Sequence, residues 1–454
     1  MIKNNYTLDS GLISFSVSDF KCFTKDSKLI LSESNRPYKW NILIGENGTG
    51  KTSILQLITA AFYSIATIPI NEKIPIEKGD DLYKKLIEQI KEHSPESTDI
   101  IISANMMYNN SNERNFEFRI ASQDESSLIN SITQSNATML PDSDVIETNN
   151  YSFSIEYTIL PKGCGLYYYR GSRKPTYFGE NASRDRYVFN QIANDIQINA
   201  YEWLFKADYA SRVNSDEKTK LKKQRIEKAL ISILPDVEDF RYMVSDDASM
   251  TPIVEAKTPY GWVSVLNLSL GYQTALAWVV DYASQLFDRY PNSTNPLEEP
   301  AICLVDEIDL HLHPKWQRQF IENLDKIFSH TQFIVTTHSP LVIQSVPGAN
   351  LALLERQDDH TYINNDVDEI RTWRIDQILA SELFGEQPVY APEIQALLDE
   401  RERLLSQAEL SEEDTARVAV IDTELEKLPS AARPADQEAM DLIRRTAALI
   451  KNEK

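Results

Sequence analysis

Trp40-Asn41-Ile42-Leu43-Ile44-Gly45-Glu46-Asn47-Gly48-Thr49-Gly50-Lys51-Thr52-Ser53 runs from an apolar pentapeptide straight into a G-x-x-x-x-G-K-[ST] segment. The apolar run predicts a buried strand. The glycines let the loop behind it wrap around a phosphate chain with its N–H groups turned inward as donors. Lys51 supplies a cation for the outer phosphates, and the Thr52 hydroxyl stands where it can ligate Mg²⁺. Ser53-Ile54-Leu55-Gln56-Leu57 then opens a helix whose positive end faces those phosphates. Gly45, Asn47, Gly48, Thr49, Gly50, Lys51, Thr52 and Ser53 are the expected nucleotide contacts. Strand, loop and apolar helix in this order point to binding of a nucleoside triphosphate.

The chain has 454 residues, which suggests two or three domains. Its 42% hydrophobic and 25% charged residues are those of an ordinary globular protein. Cys22, Cys164 and Cys303 have no paired or metal-type spacing, which fits a reducing compartment. No basic segment followed by an apolar core opens the sequence. The longest apolar stretch, 57–70, is interrupted by Thr59, Ser64, Thr67 and Pro69 and is too mixed to span a bilayer. A cytoplasmic location is the expectation. The net charge of −22 repels nucleic acid as a whole, so any such contact must come from a local basic surface. One candidate is Lys218, Lys220, Lys222, Lys223, Arg225 and Lys228, for which a solvated helix face and a DNA or partner contact stand even. The other, Arg170, Arg173, Lys174, Arg184 and Arg186, is more scattered, and there the solvated reading leads.

Short strands are expected at 13–17 and 29–31, ahead of the strand that feeds the phosphate loop. A charged helix follows at 80–92, then an antiparallel pair at 100–108 and 115–121. Residues 122–150, dense in Ser, Asn, Asp and Thr, read as an exposed loop, and 151–159 alternate like a strand. From 184 to 234 the pattern is helical, anchored by Tyr201, Trp203, Leu204 and Phe205 and ended by Pro235. Strands return at 240–244 and 252–255.

The remaining chemistry lies late in the chain. Ala301-Ile302-Cys303-Leu304-Val305 predicts a central strand that delivers Asp306 to the Mg²⁺ shell, with Glu307 placed to polarise a water attacking the γ-phosphate. His311 and His313 follow in a loop, and Pro314 suits the first turn of a helix carrying Trp316, Phe320, Leu324 and Phe328. A single His-x-His without a distal third ligand is a poor transition-metal site. Phe333-Ile334-Val335 runs into Thr336-Thr337-His338-Ser339-Pro340, where an imidazole can hydrogen-bond a γ-phosphate. Leu268-Ser269-Leu270-Gly271-Tyr272-Gln273 precedes an apolar helix that Ser269 can cap.

Together these residues resemble the ATP-binding-cassette heads of the DNA-associated branch, which includes RecF, the SMC (structural maintenance of chromosomes) proteins and the overcoming-lysogenization-defect family. The phosphate loop, the L-S-x-G-x-Q signature at 268–273, the Asp306-Glu307 pair, Asp309 and His338 come in that family's order across roughly residues 10–355. The resemblance implies an α/β ATP-binding-cassette head, with a mixed P-loop sheet, an antiparallel β subdomain, a helical insertion and a helical C-terminal region. It implies ATP and Mg²⁺ as ligands, with Thr52 and Asp306 on the metal and Lys51, Glu307 and His338 in catalysis. Ser269, Gly271, Gln273 and Asp309 would complete the site from a second copy, so the resemblance implies a homodimer and leaves room for higher assemblies. The family's Q-loop glutamine has five candidates here, Gln89, Gln123, Gln134, Gln191 and Gln197, with nothing to choose between them.

A narrower resemblance rests on DEIDLHLHPKW at 306–316, Thr337-His338-Ser339-Pro340, Asp376-Gln377-Ile378-Leu379 and Leu383-Phe384-Gly385. These look like the ATPase subunits of Septu-type and retron-associated antiphage systems, which work beside a separate HNH endonuclease. Beyond Pro392, three charged helices are expected at 393–405, 412–428 and 435–450, with no apolar strands for a Toprim nuclease domain. The acidic Glu409, Glu412, Glu413, Asp414, Asp422, Glu424 and Glu426 suit a basic partner. The expected plan is an N-terminal ATPase lobe at 1–182, a helical arm at 183–236, a C-terminal ATPase lobe at 237–370 and a helical region at 371–454. The competing function is a RecF-like repair ATPase acting directly on DNA. A transporter head fits poorly, because the insert between Lys51 and Ser269 is too long.

Overall fold

The computed structural model describes residues 7–18, 20, 22–23, 27–67, 73–75, 100–108, 112–120, 127–133, 165–171, 174–175, 197–198, 200–213, 217–246, 250–346, 348–358, 360–367, 370, 373–379, 381, 390–406 and 411–425. The chain divides into two units, Met1–Trp373 and Arg374–Lys454.

In the first unit, the apolar run ahead of the phosphate loop becomes the strand Trp40–Gly45, buried along its whole length. It lies inside a six-stranded sheet of order Gly165–Tyr169, Ala301–Val305, Thr331–Thr336, Trp40–Gly45, Asn350–Gln357, His360–Asn364. The first five strands are parallel and the last is antiparallel. Near-continuous apolar runs are what a parallel sheet covered on both faces requires. Trp40 stacks on Phe333 at 4.3 Å, and Tyr282 packs on Phe328 at 4.9 Å. Because the strands run together in register, Gly45, Asp306 and Thr337 emerge at the same edge. The carboxyl edge of such a sheet is where ligands of α/β proteins bind.

A second, antiparallel sheet has the order Ser27–Ile30, Gly11–Ser18, Ile100–Tyr108, Asn112–Ile120, Ser127–Thr133, Lys73–Pro75. Gln332 bridges from the central sheet, accepting from Leu12 N at 2.7 Å and donating to Leu12 O at 2.8 Å. The strand Ser127–Thr133 corrects the expectation of a loop at 122–150. Its polar composition concealed Leu128, Ile129 and Ile132, and an antiparallel sheet accepts polar residues on one face. The helix expected at 80–92 and the strand expected at 151–159 lie outside the described residues.

The helical stretch contains the helices Ala200–Val213 and Glu217–Ile233, preceded by a two-residue strand, Gln197–Ile198, paired with Lys174–Pro175. Of the expected anchor, Tyr201 and Leu204 are buried and Trp203 and Phe205 half-buried. The second helix stops at Ile233, two residues before Pro235, as pre-proline sterics dictate. Its basic side chains are partly consumed within the chain. Lys222 pairs with Asp288 at 2.5 Å, Lys223 with Asp208 at 2.9 Å and Glu227 at 3.3 Å, and Arg225 donates to Asn295 at 3.1 Å. Three of the six cations are thus engaged by other parts of the chain, two of them by residues in and beyond the helix Leu270–Arg289, which weakens the case for a nucleic-acid surface on this helix. A three-stranded meander, Asp239–Val244, Pro252–Thr258 and Gly261–Ser264, leads into the helix Leu270–Arg289.

The second unit contains Ile375–Leu379, Pro392–Leu405 and Glu412–Leu425, all helical. Leu404, Ile421 and Leu425 form its core, and buried Arg401 pairs with Asp422 at 2.7 Å. The expected helix at 435–450 lies outside the described residues. Among the described residues no helix is long and apolar enough to cross a membrane.

Candidate functional site

The phosphate loop turns at Gly45, Gly48 and Gly50, all at positive φ. Two of these positions admit no side chain for steric reasons as well. A Cβ on Gly45 would strike the Leu354 carbonyl, and one on Gly50 would lie 2.7 Å from Phe23 Cζ. Thr49 Oγ1 donates to Glu46 O at 2.9 Å, closing the loop on itself. The helix Lys51–Thr67 starts at once, with no acidic residue in its first turn to offset its positive end. Lys51 Nζ reaches back to Gly45 O at 2.8 Å and Glu46 O at 2.7 Å. Burial pushes this ammonium down to about 8, against the raising fields of Asp306, Glu307 and Glu46.

Asp306 follows the strand Ala301–Val305 and is 5% exposed. Its amide donates to Tyr169 O at 2.8 Å on the neighbouring strand. Its two carboxylate oxygens take one hydroxyl each: Thr52 at 2.8 Å and Thr336 at 2.6 Å. The Thr336 hydroxyl also accepts the Glu307 amide at 2.7 Å. One threonine therefore fixes both acidic positions. Glu307 itself sits at φ 50°, a left-handed conformation that costs roughly 1 kcal/mol and persists only when its neighbours hold it. Its carboxylate lies along Gly171, where a Cβ would come within 3.1 Å of Glu307 Cδ.

Cys22, Asn47, Gly48, Gly50, Lys51, Thr52, Ser53, Asp306, Glu307, Thr336 and His338 line one cavity of about 570 Å³. Burial, followed by the Lys51 charge, lowers the His338 pKa, while Asp309, Glu307 and Asp306 raise it. The balance keeps the imidazole neutral at neutral pH, able to donate from one nitrogen and accept at the other. For Mg²⁺ the fit is good: a hydroxyl and a carboxylate 2.8 Å apart face the cavity beside the loop amides, an oxygen set suited to a hard cation.

The expected trans residues are placed apart from this cavity. Ser269 is exposed at the N-cap of Leu270–Arg289, but its side chain makes no capping bond, which corrects the capping expectation. Gln273 Nε2 instead donates to Leu266 O at 2.9 Å and Leu268 O at 2.7 Å, bracing the turn ahead of the helix and leaving its first amides uncapped by a side chain. Gly271 is pressed on the His311 carbonyl, so that any Cβ there would collide with it. Asp309 accepts the Thr337 hydroxyl and does not line the cavity. His313 has a structural task, its Nδ1 accepting the Lys315 amide at 3.2 Å to cap Pro314–Ile327. Among the described residues no group of three His, Cys, Asp or Glu side chains could hold a metal ion.

Sequence reasoning missed Thr336, Gly171, Cys22 and the carbonyl of Tyr169. Thr336 had the one available signal, a hydroxyl at the carboxyl end of a central strand beside the acidic pair. The others depend on contacts across the sheet. Of the five glutamine candidates only Gln197 is among the described residues, in the short strand Gln197–Ile198.

The sequence pattern of the family described as "AAA domain, putative AbiEii toxin, Type IV TA system" matches residues 41–344, more than half of the chain and the whole span from the phosphate loop to His338. The chain belongs to this AAA-domain family. Among curated relatives it is 25% identical over 453 residues to the "Retron Vc95 probable ATPase" of Vibrio cholerae serotype O1 biovar El Tor, covering 88% of this chain and 84% of that protein. It is also 25% identical over 396 residues to "Septu protein PtuA" of Bacillus mycoides (strain KBAB4), covering 87% of this chain but 47% of that protein. The chain thus spans about half the length of that Septu relative. A solved SMC head bound to the C-winged helix domain of ScpA is similar at 14% identity and a TM-score of 0.44, over 78% of this chain and 97% of that one. Membership of the AAA-domain family places the phosphate loop of this chain among nucleotide-binding domains.

Proposed function

We propose that this chain is an ATPase subunit of a bacterial antiphage defence complex, whose nucleotide-dependent homodimer regulates a separate HNH-type nuclease. The observation that carries the nucleotide part is the joint of Thr52, Asp306 and Thr336 beneath Lys51, with Glu307 beside it, in one cavity. Lys51 leaves its two carbonyl partners for the phosphates of ATP. Thr52 and Asp306 hold Mg²⁺, which when bound neutralises charge on the phosphate oxygens. Glu307 orients the attacking water, and His338 hydrogen-bonds the γ-phosphate. Ser269, Gly271, Gln273 and Asp309 act from the second copy. Their exposure or their separation from the cavity within one chain supports that reading. The defence context is supported by the retron and Septu relatives. The acidic residues of the C-terminal unit, Glu412, Glu413 and Asp414 among them, support docking of that nuclease there.

Glu307→Gln tests this. Turnover is expected to fall by about 100-fold or more, with ATP still bound and the dimer accumulating in size-exclusion chromatography. Unchanged turnover would remove Glu307 from the catalytic role. Tagged Glu307→Gln protein recovered from its native host and read by mass spectrometry should bring down a stoichiometric HNH-type nuclease. Recovery of replication or repair proteins, or of DNA alone, would instead favour a RecF-like maintenance ATPase.

A further inference from the structure

The segment carrying His338 is tied to the segment under the signature by side chains that do not line the cavity. Thr337 Oγ1 donates to Asp309, and it also accepts the Ser339 amide at 2.9 Å. Ser339 Oγ caps the helix Pro340–Ser345 by accepting Leu341 N at 3.2 Å, and donates to Gln317 Oε1 at 2.6 Å. Gln317 is 7% exposed and projects from the helix Pro314–Ile327. Its other end, Nε2, donates to Leu312 O at 3.1 Å. The carbonyl of the preceding residue, His311, is the surface on which Gly271 rests. His311 stands at φ 63°, so this loop is held in a left-handed turn by its surroundings. Tyr272, next to Gly271, packs edge-on against Trp316 at 4.7 Å, one residue before Gln317.

We propose that Gln317 is a positioning residue that couples the His338 turn to the signature turn of the same chain, through Ser339 on one side and the His311-Leu312 backbone on the other. Both ends of its amide are engaged, and both partners are buried or half-buried, so a movement of the His338 turn cannot leave Gln317 in place without breaking a bond. Gly271 has no side chain to absorb a shift of His311. A change at the cavity is therefore passed to the exposed face carrying Ser269. This inference rests on the nucleotide reading of the cavity.

The test uses full-length protein and compares Gln317→Leu, Ser339→Ala and the double variant with the parent, each checked by thermal melting. ATP affinity should stay within about twofold of the parent, because neither residue lines the cavity, while turnover falls by about tenfold. The double variant should lose no more than the worse single one, since both break the same link. In a Glu307→Gln background, ATP should slow amide exchange across residues 268–274, and Gln317→Leu should abolish that slowing while ATP stays bound. Additive losses, or ATP-induced protection unchanged by Gln317→Leu, would overturn the coupling. Failure of the parent itself to bind ATP would overturn the nucleotide reading and this inference together, and is distinguishable because it precedes any substitution.

Discussion

The phosphate-loop side and the signature side of this chain are built from equally recognisable motifs but are finished to different degrees. Around Lys51 the polar groups converge: Thr52, Asp306, Thr336 and the Glu307 amide form one hydrogen-bonded joint facing a single cavity. Around Ser269 they diverge. The serine is exposed and bonds nothing as a cap, Leu270 beside it is 48% exposed, and Gln273 commits its amide to the carbonyls of its own loop. A helix end without a side-chain cap leaves donors for something else. The contrast is between polar groups gathered on one cavity and an exposed helix end whose donors stay available, as the proposed dimer requires.

Lys51→Ala should produce the largest effect and define the first half. Among the described residues it removes the only lysine that lines the cavity, and nucleotide affinity should fall by more than about 100-fold in a fluorescent-nucleotide titration. Ser269→Arg addresses the second half, and the comparison predicts a different signature. ATP affinity should remain within about twofold of the parent, while turnover drops by at least about tenfold, because a bulky cation blocks the face proposed to meet the second copy. Mixing the two inactive variants sharpens this further. A mixed dimer pairs an intact Lys51 with an intact Ser269 in one of its sites, so activity above either variant alone is expected. If mixing restores nothing, the two halves do not work in trans.

Those two halves were not equally legible in the sequence. Trp40 to Thr52 could be read residue by residue, because a glycine loop between an apolar strand and a helix serves little besides a phosphate chain, and the fold core followed from it. The acidic pair was legible for a related reason, since an apolar run ending in two carboxylates is costly unless they are used. Thr336 was hidden because its role exists only when two strands, distant in sequence, lie in parallel register. The strand Ser127–Thr133 was hidden by composition, since pairing with Asn112–Ile120 satisfies its backbone whatever side chains it carries. For the basic helix, spacing displayed six cations but not the carboxylates of Asp208 and Asp288 that take two of them. Charge on a helix face is visible in sequence, and its neutralisation by tertiary contacts is not.

The smallest predicted effect separates the cavity from the rest of the protein by pH alone. Burial holds Lys51 down at about 8, from 10.5 for a solvated lysine. In the free protein the ammonium is therefore lost as pH rises through about 8, whereas ATP phosphates are already ionised there. ATP affinity should be level below pH 8 and weaken above it, by up to about tenfold per pH unit. Folding stability carries the opposite sign. The folded state bears the cost of a buried ammonium below pH 8, and that cost is relieved between about 8 and 10.5, where the unfolded chain still binds the proton. His338, held below its ordinary value, is neutral throughout this window and adds no slope. Lys51→Arg keeps its charge, so whatever affinity it retains should not vary from pH 7 to 10. Parallel loss in both proteins would mean that some other group sets the profile. A flat parent would mean that the carbonyls of Gly45 and Glu46 keep Lys51 charged more firmly than its burial discharges it.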